Sequence, residues 1–154
     1  MFLHLTVLLA LLPGAASAKP GFGISFGLID FTRELEAFEL GVEYRFPDWR
    51  YGLVPHVGVQ VTEDEAFYGY GGLRRPFQLG ESRWDVIPSF AVSLYEQGDG
   101  QDLGNVIEFR SGIDVRYRFE KKGALALGFY HLSNASISSM NPGTNSLLLR
   151  IELP

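Results

Sequence analysis

The sequence contains no cysteine, which excludes a disulfide framework and a thiolate metal site. After residue 18 it has no apolar run long enough to cross a bilayer as a helix. Basic residues are the minority. The 13 Lys and Arg stand against 18 Asp and Glu, a formal charge of −5 that argues against a nucleic-acid partner. At 154 residues the chain is too short for two domains of ordinary size. Two residue classes are abundant instead: 18 glycines, and aromatics at 14% of the chain. Mean hydropathy is close to zero. Such an average hides a membrane span when apolar and polar residues alternate along strands.

Residues 1–18, MFLHLTVLLALLPGAASA, read as a leader. Phe2 to Leu12 is apolar, Pro13-Gly14 breaks the run, and Ala16-Ser17-Ala18 has the small residues of a cleavage site. The n-region is unusual in having His4 and no Lys or Arg. An apolar run of about eleven residues is too short for a membrane anchor. The expectation is a cleaved signal peptide over 1–18 and one domain over 19–154.

Beyond the leader the period is two. Phe22, Ile24, Phe26 and Leu28 alternate with Gly and Ser. Phe38, Leu40, Val42, Tyr44 and Phe46 alternate with Glu39, Gly41, Glu43 and Arg45. Leu53 to Val61 and Trp84 to Leu94 behave alike, while Ala66–Leu73 is rich in Gly and Tyr and its faces are ambiguous. Ile107, Phe109, Ser111, Ile113, Val115, Tyr117 and Phe119 alternate with Glu108, Arg110, Gly112, Asp114, Arg116 and Arg118. Leu125, Leu127 and Phe129 share a face, as do Leu147, Leu149, Ile151 and Leu153.

These eight segments predict an all-β fold, an eight-stranded antiparallel transmembrane β-barrel of the Gram-negative outer membrane. Gly and mixed charge on the polar face suit a narrow interior. Phe22, Phe46, Trp84 and Phe119 suit an interfacial aromatic girdle. The alternative is a soluble lipocalin-like barrel with the faces reversed. With both chain ends in the periplasm, the 120–123 turn is periplasmic and the 135–144 loop faces outward, so His131 and Ser133 sit near the outer leaflet.

His131 and Ser133 have the parity of Leu125, Leu127 and Phe129, so both are expected on the lipid-facing side. Residues two apart on a strand lie about 6.6 Å apart along the chain, close enough for a hydrogen bond between their side chains. An unpaired polar group costs several kcal/mol in hydrocarbon, and a function explains two of them. His131 would take the proton of Ser133 Oγ for attack on an ester carbonyl. The plain reading is a His in the headgroup zone beside an ordinary Ser. Glu63-Asp64-Glu65, Asp99 and Asp102 read as solvated loop charges or a divalent-cation site, and His56 as an isolated lumen residue.

His131-Leu132-Ser133-Asn134-Ala135, followed by Asn141-Pro142-Gly143 and a last strand from Asn145, resembles the lipid A 3-O-deacylase family over about 25 C-terminal residues. The resemblance implies a serine esterase that removes the ester-linked 3-hydroxyacyl chain at position 3 of lipid A, with no metal or cofactor. It implies His131 as general base, Ser133 as nucleophile, Asn134 and Asn141 near the oxyanion site, and Phe109 as an aromatic beside it. At the triad's third position, where the family pattern has Glu, this chain has Asn145. Asn145 has the parity of Leu147 and Leu149, and its amide oxygen can accept Nδ1–H of His131 as in Cys-His-Asn proteases. A neutral amide stabilises an imidazolium less than a carboxylate does. The implied partner is lipid A, as lipopolysaccharide in the outer leaflet; a homodimer is compatible. The rival functions are a structural or adhesive barrel without catalysis, and an outer-membrane phospholipase.

The leader reading predicts that protein recovered from the membrane begins at Lys19. Intact mass spectrometry showing residues 1–18 retained would contradict it.

Overall fold

The computed structural model describes residues 19–33, 36–120 and 123–154. The expected leader lies outside the described residues, as do Lys121 and Lys122 of the 120–123 turn. Nine strands follow in order: β1 (Gly21–Ile29), β2 (Ala37–Arg45), β3 (Val54–Thr62), β4 (Phe67–Arg74), β5 (Phe77–Gln78), β6 (Trp84–Glu96), β7 (Ile107–Arg118), β8 (Ala124–Ser133) and β9 (Thr144–Glu152). Paired strands are antiparallel, and β1 pairs with β9 from Gly23 opposite Glu152 to Ile29 opposite Ser146, which closes the sheet. The two-residue β5 is not a separate stave. Arg74 faces Ser89 and Phe77 faces Val86, so β5 continues the β4 edge along β6. Pro76 between them has no N–H to give the ladder. The result is an eight-stranded closed barrel, as the eight segments predict.

The outward set is apolar: Ile24, Leu40, Val59, Phe90, Val115 and Leu127 are all exposed. The inward set is polar: Glu39, Glu43, Arg74, Asp85, Arg110, Asp114 and Arg150 are no more than 2% exposed. A water-soluble barrel has these faces the other way round, so the reversed alternative is excluded and the barrel is of the membrane-spanning kind. The ambiguity over Ala66–Leu73 resolves as β4, with Tyr68, Tyr70 and Arg74 inward and Phe67 and Leu73 outward. Phe22, Phe46, Trp84 and Phe119 all lie at the end that carries both termini. Tyr44 packs between Phe22 and Phe46 at 4.9 Å from each, and Tyr117 packs between Trp84 and Phe119 at 5.0 and 5.4 Å.

The interior is a charge network with Glu43 at its hub. Glu43 accepts from Arg74 Nη1 at 2.8 Å and from Tyr70 OH at 2.9 Å, and Arg150 reaches the same carboxylate. His56 is not isolated: its Nδ1 lies 2.9 Å from Glu43 Oε2. Glu152 accepts from Arg74 and Arg116 at 3.0 and 2.9 Å, with Arg45 at 2.6 Å. Arg110 is held between rings, 4.4 Å from the Tyr70 centroid and 3.5 Å from the Tyr130 centroid. Gly58 and Gly112 make room for those rings. A Cβ at Gly58 would stand 2.5 Å from Tyr70, and one at Gly112 would stand 2.1 Å from Tyr130.

Removing one partner from such a network leaves charges buried and unpaired, which costs about 3–5 kcal/mol. Glu43→Ala is therefore expected to lower the urea midpoint of the bilayer-folded protein. Val59→Arg, on the outward face, should cost about 2–4 kcal/mol by placing a charge in hydrocarbon. Unchanged midpoints for both would contradict the assignment of inside and outside.

Candidate active site

On β8 the outward parity runs through Leu125, Leu127 and Phe129 to His131 and Ser133, at the end of the barrel away from the termini. Register sets their neighbours. Asn145 of β9 faces His131 on one side, and Ser111 of β7 faces it on the other; Phe109 faces Ser133. His131, Ser133 and Asn145 are all half-buried. The hydrocarbon-facing surface thus carries a polar row, Ser111–His131–Asn145, with Ser133 one step toward the rim.

His131 Nδ1 lies 2.8 Å from Asn145 Oδ1. On its far side the Asn145 amide Nδ2 lies 3.4 Å from Thr32 Oγ1. An amide oxygen only accepts, so the contact has Nδ1 as its donor. The expected hydrogen bond between His131 and Ser133 is not formed: Ser133 Oγ has no hydrogen-bond partner among the described residues, although it shares the outward face two residues along the strand from His131. Gly143 packs against the other side of the imidazole. Its φ is +62°, and a Cβ there would stand 2.8 Å from His131 Cε1. This position admits glycine on both counts.

The two asparagines of the expected oxyanion site separate. Asn134 is fully buried on the inward parity. Its Nδ2 donates to Leu103 O and to Met140 O, both at 2.9 Å, and its backbone N–H donates to Asn141 Oδ1 at 3.0 Å. The Asn134 side chain therefore ties two loops together at this end of the barrel and does not face the lipid side. Asn141 is half-exposed, and its Nδ2 donates to no described residue. Ala135 and Ser136 follow in left-handed conformation, with φ of +50° and +64°. Such strain persists only where the surroundings impose it.

Aromatic pairs flank the row. Phe109 stacks on Phe90 at 5.9 Å and 18°. Phe31, from the loop after β1, meets Phe129 edge-on at 6.1 Å. Thr32, Gly143, Ser111, Phe31 and Phe90 have no site role in the sequence analysis. Glycine after Asn-Pro is a turn signal, but its contact with His131 depends on the register of β8 and β9. The site is an open lateral face. A cavity of about 560 Å³ lies at the opposite mouth, lined by Arg45, Arg74, Arg116 and Glu152 among others. Among the described residues no three His, Asp or Glu converge as metal ligands. Serine nucleophiles are activated by an imidazole whose far nitrogen is held; here Asn145 holds Nδ1 of His131, and Ser133 stands two residues along the same face of β8.

A family profile described as lipid A 3-O-deacylase (PagL) matches residues 31–154. Among solved structures, the outer membrane enzyme PagL superposes with a TM-score of 0.68 at 16% identity, covering 86% of this chain and 98% of that one. Neisserial surface protein A superposes with a TM-score of 0.69 at 9% identity, covering 90% and 98%. At these identities the two structures speak to the fold. No match is found among curated protein sequences.

The Asn145 contact predicts a single His131 tautomer, protonated on Nδ1. In ¹⁵N-histidine spectra of the folded barrel, Asn145→Leu should turn that into a mixture. A native His131 protonated on Nε2 would contradict the geometry.

Proposed function

The chain belongs to the lipid A 3-O-deacylase (PagL) family, and from that premise we propose that it is a serine esterase whose nucleophile is Ser133, acting on lipid A from the lipid side of the barrel. Family and fold make it an outer-membrane β-barrel of a hydrolase family. The observation that carries the residue assignment is the 2.8 Å contact of His131 Nδ1 with Asn145 Oδ1 on the lipid-facing surface. With Nδ1 engaged, Nε2 is the nitrogen left to serve as base for Ser133, two residues along the same face.

In this reading a lipid A molecule enters laterally, its acyl chains against the Phe90–Phe109 and Phe31–Phe129 pairs. Ser133 Oγ attacks the carbonyl carbon of the 3-hydroxyacyl ester while His131 Nε2 takes its proton. In the same scheme the oxyanion of the tetrahedral intermediate accepts from Nδ2 of Asn141. Asn134 supports that donor indirectly, since its backbone N–H fixes Asn141 Oδ1. Phe109, opposite Ser133, borders the nucleophile. The intermediate collapses by breaking the ester C–O bond. His131 returns the proton to the departing sugar oxygen, and an acyl-Ser133 remains. Water, deprotonated by His131, then attacks the acyl carbon; the bond to Ser133 Oγ breaks, His131 returns the proton to Oγ, and a 3-hydroxy fatty acid is freed. Asn145 holds the ring and the tautomer without a negative charge, which predicts a slower reaction than a carboxylate would support. Every residue of this scheme comes from one chain, so it needs no second copy. Export by the 1–18 leader belongs to the same reading.

The test offers lipid A and phospholipid to the same detergent-folded preparation. Release of 3-hydroxy fatty acid from lipid A alone is expected, with Ser133→Ala lowering kcat by roughly a thousandfold or more while the barrel still folds. Asn145→Glu should preserve or raise the rate. Hydrolysis of phospholipid instead would replace the substrate, and an unimpaired Ser133→Ala would remove the mechanism.

A further inference from the structure

At the end of the barrel away from the termini, four chain segments close around a chamber of about 10 Å³. They are the end of β1, the turn between β3 and β4, β6 with the loop after it, and the start of β9. The volume admits one sphere of about the size of a water. Asp30, Asp64, Tyr95, Gln101 and Thr144 give the chamber its polar walls, and no Lys or Arg among the described residues lines it. Asp30 is 2% exposed. Its Oδ1 accepts from Thr144 Oγ1 at 3.2 Å, while its Oδ2 is buried with no hydrogen-bond partner among the described residues. Arg33 Nε stands 4.0 Å from Oδ1, but that guanidinium donates elsewhere, to Pro142 O at 2.6 Å and Gly143 O at 3.1 Å. Asp64 enters from the β3–β4 turn, where it accepts from the Thr62 hydroxyl.

A carboxylate taken out of water needs donors or a positive charge. Here two carboxylates share one chamber whose other polar walls are neutral. A water could donate to both and would leave both charges uncompensated; a cation answers both at once. Walls of oxygen select hard cations over transition metals, which prefer nitrogen and sulfur. Size decides among the hard cations. Mg²⁺ gives up its waters reluctantly, and a chamber for one sphere has no room for them; Ca²⁺ accepts carboxylate and carbonyl oxygens in irregular geometry. We propose that this chamber is a calcium site, with Asp30 and Asp64 as its charged ligands and Gln101 as a neutral one, which ties the segments at this end of the barrel together. It has two acidic ligands rather than the three or more of a tighter cluster, so its Kd is about 10⁻⁴–10⁻³ M. Glu63, Glu65, Asp99 and Asp102, the other loop acids, do not line it. The ion is structural. Asp30 N–H donates to Asn145 O at 2.7 Å, so the site braces the start of β9, and it holds whether or not Ser133 is a nucleophile.

The test uses the full chain folded in detergent without added lipid and stripped with EGTA. Equilibrium dialysis against ⁴⁵Ca²⁺ should show one saturable ion per chain. Ca²⁺ at about ten times its Kd should raise Tm by about 3–6 °C, and Mg²⁺ at the same concentration should give less than half that shift. Asp30→Asn and Asp64→Asn should each weaken Ca²⁺ binding by tenfold or more and remove the shift, while Asp99→Asn and Asp102→Asn leave both unchanged. If Asp30→Asn fails to fold, Asp64→Asn decides, since Asp64 lies in a half-exposed turn. No saturable Ca²⁺ means that the chamber holds a water, and overturns the proposal. So does an equal response to Mg²⁺, or a response lost in Asp99→Asn or Asp102→Asn and kept in Asp64→Asn, which would put the ion on the loop surface. An inactive Ser133, with the calcium response intact, would sink the esterase reading and leave this site standing.

Discussion

Hydrocarbon offers no hydrogen-bond partners, so each backbone N–H and C=O in the spanning region must find one within the sheet. Closure meets that demand here: β1 and β9 pair over seven residues and leave no open edge. Everything else follows from it. A closed sheet of eight staves has one face on lipid and one on a narrow interior, and strand alternation divides the side chains between them. The lipid takes Ile24, Leu40, Val59 and Leu127. The interior takes the charges, which are tolerable there because each carboxylate of the Glu43 and Glu152 hubs faces several arginines. The arrangement inverts a water-soluble barrel.

The same constraint gives the polar row on the outside its meaning. His131, Asn145 and Ser133 stand where an unsatisfied group is expensive, and only the first two satisfy each other. Closure also assembles the row. β8 lies between β7 and β9, so residues from three strands meet on one lateral face, and the pairing of β1 with β9 carries the loop after β1 over the start of β9. The end of the barrel away from the termini thereby brings Thr32 and His131 to Gly143 and Asn145. A membrane-embedded lipid reaches this face by diffusing in the bilayer plane, with no pocket to enter.

The period of two made most of the fold legible, because strands that separate lipid from a charged lumen must alternate at every position. The alternation failed at Ala66–Leu73, where glycines on both faces weaken it, and it could not show β5, which exists because Pro76 interrupts a single stave. The lipid-facing placement of His131, Ser133 and Asn145 was readable by parity alone. Parity also held the signal against Asn134 as a lipid-side donor: it lies one residue from Ser133 and so on the opposite face, where it ties Leu103 to Met140. Its place beside the site came from the resemblance rather than from the strand. His56 looked solitary because its partner, Glu43, sits on another strand at a register no local pattern encodes. Thr32 was invisible for a similar reason, since its contact depends on the chain's two ends closing on each other.

On the proposed mechanism Ser133 is a nucleophile activated on the lipid-facing surface. A long-chain fluorophosphonate, which marks activated serines covalently, tests it most directly on the folded barrel. The predicted result is one adduct per chain, mapped to Ser133 by peptide mass spectrometry and absent from His131→Ala. An adduct on Ser111, the other hydroxyl facing His131, or no adduct on a correctly folded barrel, would contradict it.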